Sequence, residues 1–321
     1  MLIDGFEPFV GQHCETTATG NLLKYAGLNL SEPMLFGLGE GLGFIYWDMR
    51  TMALPFLGGR IKPQQITKNL ALNLHLQASF QETASVRTAW KNVQSQIDSG
   101  IPVGLQLDCY YLEYFGNPIH FAGHYVAMYG YDDTFAYLID TQQQGGAVKS
   151  ALENLEQARN AKGPMAAKNL SYTIAPIAAA PNLAEVIRPA IQRNAEEFLN
   201  PAIANFGYKG IAKASQQVKS WFTRSKNIRE DLTLVAVLIE RGGTGGALFR
   251  NMYRDFLSEC REIINDPNLT AAHDLFCRIA PQWSEVASLL TQAGETTKQC
   301  YLDQASVALL DLSKQEKEAM G

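Results

Sequence analysis

The sequence predicts an α+β protein in which an N-terminal domain built on an antiparallel sheet precedes a mainly α-helical domain. Three observations carry that expectation. The β-rich runs IPVGLQLDCYYL, HYVAMYGY and FAYLID follow one another with short links, which favours antiparallel neighbours. From about residue 150 strand signals thin out and amphipathic helical spacing dominates. Between these regions lies the Ala/Pro-rich stretch IAPIAAAPNL, whose composition suits a boundary and gives domains at 1–175 and 183–321.

In chain order, the residues after Cys14 read as a helix. Leu22, Leu23 and Ala26 recur at helical spacing and Gly27 is a natural stop. GFIYWDM and TMALPFL suggest short strands, with Gly58-Gly59 as a turn between extended pieces. SVRTAWKNVQSQIDSG places Val86, Trp90, Val93 and Ile97 on one helical face and ends at Gly100. Asp132-Asp133 suits a tight turn between HYVAMYGY and FAYLID. In the second half, ALFRNMYRDFLSECREII carries Phe249, Met252, Tyr253, Phe256, Cys260 and Ile263 at three- and four-residue steps. Pro281 is expected to open another helix and YLDQASVALLDL to supply the last.

Whole-chain numbers narrow the function. With 321 residues, 46% apolar and 18% charged, the chain has the makeup of an ordinary globular protein with room for two cores. A net charge of −5 argues against a general nucleic-acid binder. No stretch approaches the roughly 20 apolar residues that span a bilayer, so no membrane partner is expected. MLIDGFEPFVGQHC lacks a basic n-region and an apolar h-region, so no signal peptide is expected. The 5 cysteines are scattered without a C-x-x-C pair, which suits neither a disulfide framework nor zinc and points to a reducing cytoplasm. The 5 histidines lack the H-E-x-x-H pattern, and no metal site is expected.

Cys14 sits where a helix should begin, and the positive end of the helix dipole favours a thiolate there. Gln12 carries an amide donor and, with the Cys14 backbone N–H, is a candidate oxyanion hole. His124 opens one strand of the predicted hairpin and Asp140 closes the other. Both lie about eight positions from the turn and are expected to be cross-strand neighbours. A carboxylate beside an imidazole fixes its tautomer and stabilises its charged form, so Cys14, His124 and Asp140 read as nucleophile, base and orienting acid. GLGEGLGF is not a phosphate loop; Glu40 and Gly41 in it are candidate substrate contacts over a groove. Asp108 ends an apolar strand, and Tyr110 in the following aromatic run is a candidate wall of an acyl channel. In the second half, ERGGTGG precedes a helix, where exposed N–H groups hold anions or carbonyl oxygens. Glu240, Thr244 and Arg250 are the candidate substrate contacts there.

The runs GQHCETTATGNLL, SEPMLFGLGEGLGFIYW, LPFLGGR, GIPVGLQLDCYYLEYF, HFAGHYVAMYGYDD and YLIDT resemble the N-terminal domain of the butirosin side-chain acyltransferase family, the BtrH-like proteins. IERGGTGGALFRNMYRDFLSE resembles the helical domain of unknown function that commonly follows it. The resemblance covers nearly the whole chain. It implies a papain-like fold, with Cys14 as nucleophile, His124 as base and Asp140 as orienting acid. It also implies acyl transfer from a carrier-protein thioester to an amine, the founding activity being toward an aminoglycoside.

A thiolate exchanges readily with a thioester because attacking and leaving groups are of similar basicity. The expected activity is therefore a cysteine acyltransferase of secondary metabolism that moves or cyclises a carrier-bound acyl group. Its partners would be an acyl or peptidyl carrier protein and a small-molecule amine. No cofactor is expected beyond the donor's phosphopantetheine thioester, and a homodimer stays open. A cysteine hydrolase, peptidase or thioesterase, needs the same three residues; a non-catalytic binding module is the alternative from a different class. Lys209, Lys213, Lys219, Arg224, Lys226 and Arg229 form the candidate docking face for an acidic carrier.

Overall fold

The computed structural model describes residues 1–116, 119–163 and 165–321. In chain order they form α1 (Cys14–Tyr25), α2 (Glu32–Leu38), β1 (Leu42–Trp47), β2 (Phe56–Arg60), α3 (Gln65–Asn73), β3 (Ala78–Gln81), α4 (Val86–Asp98), β4 (Val103–Leu107), β5 (His124–Tyr131), β6 (Phe135–Ile139), β7 (Ala147–Ala151), α5 (Leu152–Asn160) and β8 (Ser171–Ile174). Six helices follow among the described residues: α6 (Leu183–Leu199), α7 (Gly207–Val218), α8 (Ile228–Arg241), α9 (Arg250–Ile263), α10 (Pro267–Thr296) and α11 (Gln299–Ala319). The α+β class is as the sequence predicts.

The chain divides into two compact units, Met1–Leu35 with Pro63–Pro181, and Phe36–Lys62 with Asn182–Gly321. The sequence assigns residues 36–62 to the N-terminal domain, whereas the structure groups them with the helices. The reason lies in where the β1–β2 hairpin finds its partners. Tyr46 N donates to Asn205 O at 2.8 Å, and Asn194 Nδ2 donates to Leu42 O at 2.7 Å.

The first unit is organised by a sheet of order β3-β8-β4-β5-β6-β7, with antiparallel pairing throughout. Strand alternation sends Leu105, Leu107, Val126, Met128, Ala136 and Leu138 to one face, where α4 and α5 close a core with Val93, Ile97, Leu155 and Ala158. Ser85 caps α4 by accepting the Thr88 N–H at 3.2 Å, and Gly100, at φ +77°, ends that segment as expected. Helix α1 covers the opposite face: Thr19 Oγ1 lies 3.0 Å from Tyr172 Oη, beside Gly104 of β4. Every α1 residue from Cys14 to Leu23 is buried. Its polar side chains must therefore be satisfied internally. Glu15 accepts from the N–H groups of Gln64 (3.1 Å) and Thr67 (3.0 Å).

Strands β7 and β8 lie where the sequence offers only weak strand signals. The run SYTI of β8 is short, and its place between β3 and β4 is set by pairing on both edges. In the second unit, Gly58 and Gly59 are not a turn but the middle of β2, paired with β1. A Cβ on Gly59 would stand 2.3 Å from Leu248 O, so glycine is required there by close approach. Pro281 does not open a helix: α10 begins at Pro267, capped by Asp266, and runs through Pro281. An interior proline costs about 3 kcal/mol. Burial of Phe276, Ile279, Ala280 and Trp283 around it carries the helix across.

Gly104 lies beneath the Tyr172 ring of its neighbour β8, since an added Cβ would fall 2.2 Å from that buried ring. Gly104→Ala is expected to lower stability by about 1–3 kcal/mol in urea denaturation, the usual cost of overpacking. An unchanged midpoint would show that the Tyr172 ring can move.

Candidate active site

Strand β5 begins at His124 and Asp140 directly follows β6. The sequence expects these two residues to stand opposite each other. The register is Ala127↔Ile139 and Met128↔Leu138, with an irregularity between Met128 and Gly130. Continued by one residue, it sets Asp140 opposite Val126, so His124 reaches the carboxylate along the diagonal on the same face. The contact is made: His124 Nε2 lies 2.7 Å from Asp140 Oδ2.

Asp140 has no exposed surface. Its Oδ2 also accepts from the Tyr114 hydroxyl at 2.9 Å, and its Oδ1 from the Thr141 N–H at 2.6 Å. The Phe115 ring meets the imidazole edge-on, 5.2 Å between centroids. Burial by itself opposes a charged imidazole. Only together do the Asp140 carboxylate and the Cys109 sulfur outweigh it, and they hold the His124 pKa well above the ordinary 6.5. The pair therefore favours the charged form of the ring. Tyr114, raised well above 10 by burial and then by the Asp140 charge, stays a phenol donor.

Cys14 is the first residue of α1, after an extended His13, and is buried. Its segment is tied to the end of the sheet that carries the dyad: Gly11 O accepts the Gln142 N–H at 2.8 Å, two residues beyond Asp140. Among the described residues, however, no hydrogen bond joins His124 to the Cys14 sulfur. The thiol that acts on His124 is Cys109, whereas Cys14 acts on Tyr172. Cys109 was not singled out from the sequence. It follows β4 by two residues, and Leu107 pairs with His124, so alternation puts the Cys109 sulfur on the His124 face. Gln12 donates its side-chain N–H to Gln142 Oε1 at 2.6 Å, and its backbone N–H goes to Glu32 at 2.7 Å. One amide hydrogen is thus already engaged.

Asp108 is buried and holds a loop together. It accepts from Tyr110 N (3.1 Å) and Phe121 N (3.0 Å) and meets His120 Nδ1 at 3.0 Å. Tyr110 is exposed and stacks on His120.

The candidate contacts of the second unit have structural partners there. Glu40 is buried and pairs with Arg193 at 2.7 Å. Gly41 packs where a Cβ would meet the Phe36 ring at 2.6 Å. Thr244 is buried, donating to Ile239 O and accepting from Gly246 N. Glu240 receives Ala247 N at 3.5 Å. Arg250, expected as a substrate contact, is fully buried: it clamps Glu316 at 2.9 and 2.7 Å and donates to Gly59 O and Leu248 O. Trp283 Nε1 donates to the same Glu316. Of the expected docking residues, Arg224 is held bidentately by Asp48, and Lys213 donates to Asn205. Among the described residues there is no group of side chains suited to hold a metal ion, and no helix is long and apolar enough to cross a membrane.

Comparison with known proteins decides the family. A model for the domain of unknown function DUF4872 matches residues 153–321, and one for butirosin biosynthesis protein H, N-terminal, matches residues 13–141. The chain belongs to the BtrH-like family, with a DUF4872 domain. No curated protein matches it. Among solved structures, a protein from Bacillus anthracis described as a C39-like peptidase aligns at 18% identity and a TM-score of 0.38, covering 56% of this chain and 98% of its own. The BtrH-like chain has an α+β N-terminal region and a helical C-terminal part.

Two outcomes follow from this geometry. Asp140→Asn is expected to bring the His124 pKa down toward 6.5 in an imidazole NMR titration; a pKa that stays high would mean that Asp140 is not its cause. In the parent protein the raised pKa contributes stability that is fully present below about 6.5 and fades as pH rises through the folded value. Arg250→Met is expected to cost about 3–5 kcal/mol by stranding the Glu316 charge, and Arg250→Met/Glu316→Met to recover much of that. A double substitution as unstable as the single would contradict the buried-pair assignment.

Proposed function

We propose that this BtrH-like protein is a cysteine-dependent acyltransferase. It takes an acyl group from a carrier-protein thioester onto Cys14 and passes it to a small-molecule amine, as part of secondary-metabolite biosynthesis. The observation that carries the reading is the His124–Asp140 pair at 2.7 Å, which holds an imidazolium able to stabilise a thiolate. Cys14 opens a helix, where the dipole also favours a thiolate, and its segment is bonded to the strand end that bears Asp140. Thiolate attack on a thioester exchanges one sulfur for another and needs no protonation of a poor leaving group, which suits a site already charged. Gln12, with the second hydrogen of its amide, and the Cys14 N–H are the proposed oxyanion donors.

Cys109 supports a second reading, in which it is the nucleophile, because its sulfur acts on His124 directly. Hydrolysis of the acyl-enzyme by water is the other outcome of the same site. All three are separated by intact-mass analysis of the protein with an acyl-carrier thioester, with and without amine. Cys14→Ala is expected to abolish the acyl adduct and Cys109→Ala to retain it; the reverse pattern would move the nucleophile to Cys109. Adduct that drains equally fast without amine would make the protein a hydrolase.

A further inference from the structure

The start of α1 carries three buried threonines whose hydroxyls differ in what they meet. Thr16 Oγ1 donates to Glu32 Oε1 at 2.7 Å, on the side of the helix that faces α2. Thr19 Oγ1 lies 2.8 Å from Thr67 Oγ1 and 3.0 Å from Tyr172 Oη, on the side that faces α3 and β8. Thr17 has no exposed surface, and its hydroxyl has no hydrogen-bond partner among the described residues. A helical threonine commonly bonds back to the carbonyl four residues earlier. Here that carbonyl is His13 O, and it already takes the Thr17 N–H at 2.9 Å and the Thr16 hydroxyl at 3.0 Å. Both of its lone pairs are used. An unmatched buried hydroxyl costs stability, whereas an apolar side chain of the same shape would not.

Helical spacing sets this hydroxyl beside the proposed nucleophile. Thr17 is three residues on from Cys14, and side chains so spaced are neighbours on one face, about 5–6 Å apart at Cβ. Helical side chains also lean toward the N-terminus, so Thr17 lies over the turn that Cys14 opens. Asn21, four residues further along that face, is fully engaged with the chain before the helix. Its Nδ2 donates to Phe9 O at 2.7 Å and its Oδ1 accepts the Phe9 N–H at 2.8 Å. On the face that Cys14 shares, the Thr17 hydroxyl is thus the group held in reserve.

We propose that Thr17 is a catalytic residue whose hydroxyl donates to the Cys14 sulfur once that sulfur is ionised. The inference rests on the acyl-cysteine reading with Cys14 as nucleophile. A thiol is a weak acceptor and a thiolate a strong one, so the bond forms with the charge and holds the sulfur in place for attack. In that attack the Cys14 sulfur forms its bond to the thioester carbon and the donor's own C–S bond breaks. The electron pair leaves on the donor sulfur, as a thiolate. Thr17 keeps its proton throughout, and its hydroxyl is released as the charge on Cys14 is spent. The chain gives up some stability at this position for a donor that is ready beforehand.

The test uses the full chain and the butanoyl thioester of N-acetylcysteamine, with the adduct on Cys14 followed by peptide-resolved mass and stability by urea denaturation. Thr17→Val is expected to slow acylation of Cys14 about 10-fold, the lower end of what a hydrogen bond to a charged group contributes. Its urea midpoint is expected to stay at or above that of the parent. Thr17→Ser keeps the hydroxyl and is expected to retain most of the parent rate. A lowered midpoint with an unchanged rate in Thr17→Val, the mark of a structural hydroxyl, overturns the inference alone. So does a Thr17→Ser variant as slow as Thr17→Val. A parent chain that gains no adduct on Cys14 overturns the acyl-cysteine reading and the inference with it.

Discussion

A charge sealed from water organises the first unit. Asp140 has no exposed surface, and an unpaired carboxylate in such a place costs several kcal/mol. It is matched by an imidazole from β5, a phenol from Tyr114 and the amide of Thr141. Tyr114 reaches it from the turn that follows β4. That turn is held in its own way by Asp108, which bonds the N–H groups at both its ends. One buried carboxylate thus depends on the loop that another closes.

The helix bearing Cys14 obeys the same accounting. Because α1 is buried on all sides, the donors and acceptors around its start cannot be left to solvent. Glu32 accepts the N–H groups of Gln12 (2.7 Å) and His13 (2.8 Å) and the Thr16 hydroxyl (2.7 Å). Glu15 binds the chain entering α3. These carboxylates fix the entry to the helix, and Gly11 is needed because a Cβ there would meet the Glu32 carboxylate at 2.6 Å. They also bring negative charge to the helix start and offset part of the dipole's pull on the Cys14 sulfur.

Much of this was legible in the sequence, and the exceptions have physical causes. Helical spacing located α1, α4, α9 and α11, and the β-rich runs located β4 to β6, although α1 and β4 are buried on every side and carry no one-sided burial pattern. The strand at 171–174 and the glycines of β2 escaped because their conformation is set by distant neighbours: Gly104 and Leu105 for β8, Leu248 for Gly59. Pro281 misled because packing overrode local preference. At the site, His124 and Asp140 could be paired by counting from the hairpin turn, although they meet along a diagonal that the bulge brings onto one face. Tyr114, Cys109 and His120 belong to a loop with no period to read. The alternation Leu105, Leu107, Cys109 was the one signal that could have placed Cys109 beside the imidazole.

What residue types and spacing do not reveal is which charges are enclosed. Arg250 after a glycine-rich loop has the pattern of an anion or substrate contact, yet all its donors are spent on Glu316, Gly59 and Leu248 inside the second unit. Asp108 and His120 are separated by a loop and looked unrelated, yet they form a fixed pair whose imidazole stays open to solvent. Enclosure decides the role in each case. A buried ion pair is locked by the cost of exposing either partner and can only hold structure or tune a neighbour, as Asp140 tunes His124. A half-open pair, with its tautomer fixed from the buried side and its lone pair facing water, is free to exchange a proton with whatever arrives.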